Sequence, residues 1–438
     1  QGCVVHLKSY CCYRLLLREQ PASKMHGRAM LRLGAALGTL AMPREAADAL
    51  EMYASLYAGE RDAVDALADA FTYRRAAGDD AKAIATAQKI IKLFGSKRPA
   101  DAAAAQLAIA DIHQRRGDKA AALKSLRTYL TQFGKRGDAS KDITVQRTIG
   151  ELEWALSCPV DTVDGLCMQL RKRNPPLTCA AHKPVPLGEA GVPARPRYQM
   201  VTRKADHVKA AMTAFSAVQQ LAQRFSVVHG VPTDDTPKPY DIATAQRMLA
   251  EPEFEAFWAL QFPRNLNFDP AKPKVAAAAQ KAFTAWLTES TQRSAALRTK
   301  YQQVLSLKDP ANMFAAMARL GQLADKFSYE LTNSDIPASL RAGEFGEEKV
   351  TAYCDTMHEQ AAALTDGAEQ AYAACVAKAT ELAWRDASTD VCQRELTRLN
   401  PKAAPPHTER RGPAVPSAVT SPEGAAVPAG ASSAGSNP

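Results

Sequence analysis

A dipeptide that ends one helix and starts the next occurs twice in this chain at a fixed distance, and it constrains the fold more than any other feature. Gly78-Asp79 returns 39 residues later as Gly117-Asp118; at the same offset Ala83 returns as Ala122 and Leu93-Phe94-Gly95 as Gln132-Phe133-Gly134. Glycine accepts the left-handed dihedrals that stop a helix, and aspartate caps the amino end of the next one. Between each Gly-Asp and its Phe-Gly there is room for one helix of about four turns. An alanine-rich helix precedes each Gly-Asp. Two helices joined by so short a turn must pack antiparallel, and repetition at this length is the signature of stacked helical pairs.

The rest of the chain fits the same all-α class. A fainter first copy runs over Met30–Leu40 and Arg44–Tyr57. Asp142–Leu156 predicts one more helix, a solvating cap on the stack. Helical spacing resumes at Tyr198–Val228, where Val208, Met212, Phe215, Val218, Leu221 and Phe225 recur every three or four residues as one buried stripe. Further helices are expected at Asp241–Leu260, Lys274–Leu307, Pro310–Leu331 and Glu344–Trp384, with a short one to Leu399. No strand with convincing alternation is visible. The division expected is 1–27, a poorly defined segment outside the fold; 28–157, the repeats; 158–197, a Pro/Gly-rich insertion containing cysteines; 198–400, a second domain of long helices; and 401–438, a disordered tail. That tail is Pro, Ala, Ser and Gly with no aromatic residue, too little apolar area to offset the entropy of ordering it. The chain begins at Gln1 rather than methionine, and Met25 is an alternative start that would leave the Cys-Cys segment before it outside the fold. Leu15-Leu16-Leu17 is shorter than the roughly 7–15 apolar residues of an export-signal core.

Charge and hydropathy exclude several classes. The 55 Lys and Arg against 46 Asp and Glu leave +9, spread along the chain. The densest basic run, Arg171-Lys172-Arg173, lacks the interleaved aromatics that stack on bases, so a solvated face is the expectation and nucleic acid is not a predicted partner. No apolar run reaches the ~18 residues a membrane span needs.

The alanine-rich helix, the Gly-Asp turn and the small residue at 83 and 122, five positions after each glycine, resemble the tetratricopeptide repeat. The usual period is ~34; the five additional residues fall in the linker around 95–100, and the aromatic signature is partial, in Phe71, Tyr73 and Tyr129. In that family the first helix of each pair lines a concave face. Carried over from the Gly-Asp turns, its inward positions become Asp65, Ala68, Thr72 and Arg75, then Ala104, Ala108, Asp111 and Arg115. Small residues there leave room for a peptide and charged ones can anchor it. The competing reading is that this face packs on the chain's own later helices.

A second resemblance rests on Phe262-Pro263-Arg264-Asn265-Leu266-Asn267-Phe268-Asp269-Pro270 with Lys272-Pro273, on Ala318-Arg319-Leu320-Gly321-Gln322-Leu323, and on Ala352-Tyr353-Cys354-Asp355. It also includes Ala371-Tyr372-Ala373-Ala374-Cys375, Thr380-Glu381-Leu382-Ala383-Trp384, Val391-Cys392-Gln393-Arg394-Glu395-Leu396, Ser157-Cys158-Pro159 and Gly165-Leu166-Cys167. Across 46–401 these resemble the large tetratricopeptide-repeat proteins of deltaproteobacteria, particularly myxobacteria. That resemblance implies export to the cell envelope, in some members beside gliding-motility machinery, with no catalytic residues to carry over.

The nine cysteines speak to compartment. Cys158 and Cys167 flank a short Pro-Val-Asp-Thr-Val-Asp-Gly loop outside any helix. Cys375 and Cys392 sit at matching distances from an expected helix turn near Trp384-Arg385-Asp386, so an antiparallel hairpin brings their sulfurs level. Both pairings are expected as disulfides and imply an oxidising compartment; Cys179 and Cys354 show no obvious partner. The alternative is a zinc site on Cys158, Cys167, Cys179 and His182 within the Cys158–His182 insertion, though eight residues between the first two ligands exceed the two to four of a zinc knuckle. Other templates fail: there is no Gly-rich phosphate loop, and His358-Glu359 lacks a second histidine at 362. The expectation is a non-enzymatic scaffold without cofactor or small-molecule substrate, binding other proteins in the periplasm or envelope, with a cytosolic adaptor as the alternative.

Overall fold

The computed structural model describes residues 2–134, 139–170, 177–182, 198–228 and 238–404. Of the tail expected to be disordered from 401, residues 401–404 instead form a turn that buries Ala404 in a core cluster, and the rest lies outside the described residues, as do Arg171-Lys172-Arg173 and residues 183–197 of the Pro/Gly-rich stretch.

The described residues form an all-α stack of consecutive helical hairpins. The first helices are α1 (Gly2–Glu19), α2 (His26–Thr39), α3 (Pro43–Leu56), α4 (Ala63–Ala76), α5 (Asp80–Phe94), α6 (Pro99–Arg115), α7 (Lys119–Gln132) and α8 (Ala139–Ser157). The ribbon strands β1 (Met168–Leu170) and β2 (Tyr198–Met200) flank the one-turn helix α9 (Cys179–His182). The remainder is α10 (Ala205–Val228), α11 (Pro239–Ala259), α12 (Pro273–Ser306), α13 (Pro310–Thr332), α14 (Gly346–Glu381) and α15 (Ala387–Leu399). The sequence shows no strand because each strand is three residues long, too short to display alternation; they pair antiparallel with Gln169 opposite Gln199.

The repeated turn is built as its chemistry requires. Gly78 (φ +71°) and Gly117 (φ +75°) are left-handed. Asp79 N–H donates to Arg74 C=O at 2.9 Å and Gly78 N–H to Arg75 C=O at 3.0 Å, the two bonds of a Schellman stop. Asp79 then accepts from Lys82 N–H at 3.1 Å and Asp118 from Ala121 N–H at 3.0 Å. The same stop closes α2, but Ala41 occupies the left-handed position (φ +57°), with Met42 N–H on Leu37 C=O at 2.9 Å. A variant joins α12 to α13, where Lys308 (φ +56°) precedes the capping Asp309. Side chains with a Cβ are strained there, which is why these turns are invisible to a search for glycine.

Two expectations change. The sequence places 1–27 outside the fold, yet α1 packs on α2 and Leu17 joins the core shared with α3, α4 and α5. Likewise α8 is not a solvated cap. It forms a hairpin with α10, and Gly150 lies so close to Phe215 that an added Cβ would stand 2.5 Å from the ring. The insertion 158–204 is thus a long excursion from one hairpin turn, closed at its base by Lys204 N–H donating to Ser157 C=O at 2.8 Å. Stacking then continues, and α8, α11, α13 and α15 touch in succession. The largest core cluster, with Phe254, Trp258, Phe262, Trp286, Tyr301 and Phe327, lies among α11, α12 and α13, and α14 adds Met357 and Ala361.

Arginine–carboxylate pairs tie that row of helices together. Arg147 on α8 donates to Asp241 on α11 at 2.5 Å. Arg319 on α13 grips Glu251 on α11 through Nε at 3.2 Å and Nη2 at 2.8 Å, and Tyr301 OH donates to the same carboxylate at 3.1 Å. Arg398 on α15 reaches Asp325 on α13 at 2.7 Å. Burial pushes Glu251 up, but Arg319 and Arg247 outweigh it and hold its carboxyl below the usual range.

Two outcomes follow. Glu251→Gln leaves Arg319 buried without its counter-charge and is expected to cost about 3–5 kcal/mol in urea unfolding. Glu251 titrates lower folded than unfolded, so its contribution is complete above its ordinary 4.5 and lost as pH falls through the folded value; the variant should show a shallower loss of stability below that pH. Ala41→Gly relieves a left-handed alanine and should stabilise by about 1 kcal/mol, read as a higher urea midpoint at unchanged slope.

Candidate interaction surface and cysteine framework

The residues mapped to the first-helix face do share one surface. On α4, Asp65, Ala68 and Thr72 are exposed and Arg75 is half-buried; on α6, Ala104 and Arg115 are exposed while Ala108 and Asp111 are intermediate. Among the described residues no later helix buries this face. It is cross-linked between repeats by Arg75, which reaches Asp111 at 3.3 Å, and by Arg98, which joins Asp65 at 3.5 Å, while Arg115 reaches the Asp111 carboxylate from within α6 at 3.2 Å. Arg75 also lies over the Phe71 ring, 5.8 Å from its centre. The helices hold this pattern because their other sides are spent on packing: Ala63, Ala66, Leu67 and Ala70 of α4, and Ala102, Ala105, Ile109 and Ile112 of α6, are buried.

Two grooves lie among these helices, and the first shares Asp65 with this surface. A groove of about 650 Å³ opens between α2 and α4, lined by Arg28, Arg32, Tyr53, Tyr57, Asp65 and Asp69 among others. The sequence reading missed it, since α2 belongs to the faint copy whose turn lacks glycine. A second groove, about 680 Å³, lies over α7, α8 and α10. Its floor holds the buried carboxylate of Glu153, which Arg127 and His207 both contact. This arrangement joins three helices by charge, and both partners of Glu153 come from outside α8.

Among the described residues the cysteines form three disulfides. Cys158–Cys167 and Cys375–Cys392 pair as the local spacing predicts, with Cα atoms 5.5 and 6.2 Å apart. The third, Cys179–Cys354, joins residues 175 apart and corrects the reading that neither has a partner. It docks α9 against α14, where Ile336 and Val350 complete a small apolar cluster. Cys179 N–H also donates to Ser334 C=O at 3.1 Å and Ile336 N–H to Leu177 C=O at 3.1 Å. These bonds consume the thiols of the zinc alternative: Cys158, Cys167 and Cys179 are all bridged, and His182 stands beside Glu347 and Thr351 instead. Among the described residues no group of three or more His, Cys, Asp or Glu side chains is placed to hold one metal ion. Cys11 and Cys12 are unpaired and exposed on α1.

No family model and no curated protein matches the chain. Among solved structures, a circular tandem repeat protein with novel repeat topology and enhanced subunit contact surfaces aligns over 90% of this chain and 75% of that chain, at 10% identity and a TM-score of 0.17. At that level the likeness bears on neither fold nor function.

By chain entropy the long-range bridge outweighs the local ones, about 5 kcal/mol against about 3 for each of the others. Cys179→Ser with Cys354→Ser should therefore lower the unfolding free energy more than Cys375→Ser with Cys392→Ser. Thiol alkylation of the native chain, read by mass spectrometry, should label Cys11 and Cys12 and none of the six bridged cysteines.

Proposed function

We propose that the chain is a non-enzymatic scaffold that holds other proteins on the first-helix face of its amino-terminal hairpins. The observation that carries this reading is the open surface of α4 and α6. It presents small, exposed residues, Ala68 and Ala104, beside a partly exposed ionic ladder made by Arg75, Asp111 and Arg115. Side chains on such a ladder exchange one exposed carboxylate for another at little cost, so a partner's acidic group can replace Asp111 on either arginine.

The working compartment in this reading is oxidising, and the three disulfides support it, because such bonds persist outside the reducing cytoplasm. That favours the bacterial cell envelope over a cytosolic adaptor. Among the described residues no helix is long and apolar enough to cross a membrane. An association with gliding-motility machinery rests on the sequence resemblance alone.

The test is capture from an envelope extract on immobilised protein, comparing wild type with an Arg75→Ala, Arg115→Ala double variant. Both positions are at the surface, so folding should change by no more than about 0.5 kcal/mol per site. Proteins specific to the wild type should drop about tenfold on the variant. Identical capture profiles from the two baits would remove this face as the interface.

A further inference from the structure

We propose that the groove between α2 and α4 binds an extended segment of a partner protein in which a basic residue is followed directly by an acidic one. This rests on the scaffold reading and names the chemistry of one thing the scaffold holds. The groove has two walls of opposite sign. On α4, Asp62, Asp65 and Asp69 are spaced by three and four and so share a face; on α2, Arg28 and Arg32 are one turn apart, with Lys24 just before the helix. Among the described residues no ion pair crosses from one wall to the other. Asp65 alone of the acids is engaged, by Arg98 at 3.5 Å, and Asp62 does not cap its own helix.

The floor supplies a second, independent observation. Tyr53 is only 4% exposed and lines the groove, and among the described residues its hydroxyl has no hydrogen-bond partner. Its hydroxyl still opens to the groove, since it is not among the side-chain atoms sealed from solvent without a partner. Burial, with the charges of Asp62 and Glu60, holds this phenol above its ordinary range, so it faces the groove as a neutral donor. A largely buried hydroxyl that bonds nothing in the protein is one that a ligand carbonyl would satisfy. Burial also pushes Asp69 up, as does Asp65 one turn away, so this pair gains from an incoming cation.

An extended chain fits two facing walls of opposite charge because its successive side chains point in opposite directions. One basic residue then meets α4, the next acidic residue meets α2, and the peptide backbone passes over Tyr53. The volume of about 650 Å³ lies within the roughly 300–1,000 Å³ of ligand pockets, enough for a few residues rather than a folded domain.

The experiment uses the full chain and three fluorescein-labelled, end-blocked hexapeptides: alternating Lys and Glu, the same residues segregated into two blocks, and a Ser/Gly control. Fluorescence anisotropy should show the alternating peptide binding about tenfold more tightly than the segregated one, weakening as salt approaches about 0.5 M. Neutralising either wall, by Asp65→Asn with Asp69→Asn or by Arg28→Gln with Arg32→Gln, should weaken it about fivefold. All four positions are exposed, and circular dichroism checks that the fold is kept. Equal affinity for the alternating and segregated peptides, no saturable binding, or indifference to both wall variants would overturn the proposal. The Arg75→Ala, Arg115→Ala variant should bind the alternating peptide normally. If the peptide fails while envelope capture still depends on Arg75 and Arg115, the groove assignment falls alone and the scaffold reading stands.

Discussion

The grip of Arg319 on Glu251 is the interaction on which the carboxy-terminal half depends. Both side chains are almost wholly buried, and the carboxylate accepts from two guanidinium nitrogens and from Tyr301, so three helices meet at one charge. Desolvating an ion pair costs roughly what its attraction returns, so the pair adds little net stability compared with apolar residues of the same volume. Its effect is on register. Sliding α13 along α11 by one turn would bury Arg319 and Glu251 apart, each without its counter-charge. The neighbouring pairs Arg147–Asp241 and Arg398–Asp325 repeat the device, so each of α8, α11, α13 and α15 has one allowed position against the next. Alanine-rich helices need this, because small smooth faces discriminate poorly between registers.

The hairpins plainest in the sequence were those whose turns carry glycine, while the copy over Met30–Leu40 and Arg44–Tyr57, which turns at Ala41, was fainter. Gly78-Asp79 and Gly117-Asp118 announce themselves because the left-handed residue and the cap are both of the preferred type. At Ala41 and Lys308 the backbone makes comparable turns with residues that strain to do so, and packing rather than local preference holds them there. The same limit explains α8. Its partner α10 is separated from it by the insertion, and nothing local to either helix shows that Gly150 meets Phe215. Periodicity did locate the long helices, since a stripe such as Val208, Met212, Phe215 and Val218 is a property of one helix alone; the exception is the start of α10, expected at Tyr198 but found at Ala205, because Tyr198–Met200 pairs with Met168–Leu170 as β2 instead.

A similar split divides the site residues. Asp65 through Arg115 could be placed on one surface by counting from the turn, because one helical face is fixed once its end is fixed. The groove could not, since its basic wall lies on α2 and its acidic wall on α4, and no spacing rule relates the two. Cysteine pairing follows the same logic. Cys158–Cys167 and Cys375–Cys392 close short loops around visible turns, whereas Cys179–Cys354 depends on where a 175-residue excursion returns.

These features together assign different work to the two halves of the stack. In α8, α11, α13 and α15 the charges of the first-helix row are buried against one another and are committed to register. In α4 and α6 the corresponding ladder is partly exposed and its arginine–carboxylate contacts are reached by solvent, which makes each of them weak. The disulfides reinforce the asymmetry. All three lie between residues 158 and 392, one of them strapping the insertion to α14, while the described part of the amino-terminal hairpins holds no bridge. A half strapped by disulfides and buried ion pairs is thus joined to a half whose arginine–carboxylate contacts stay accessible to solvent.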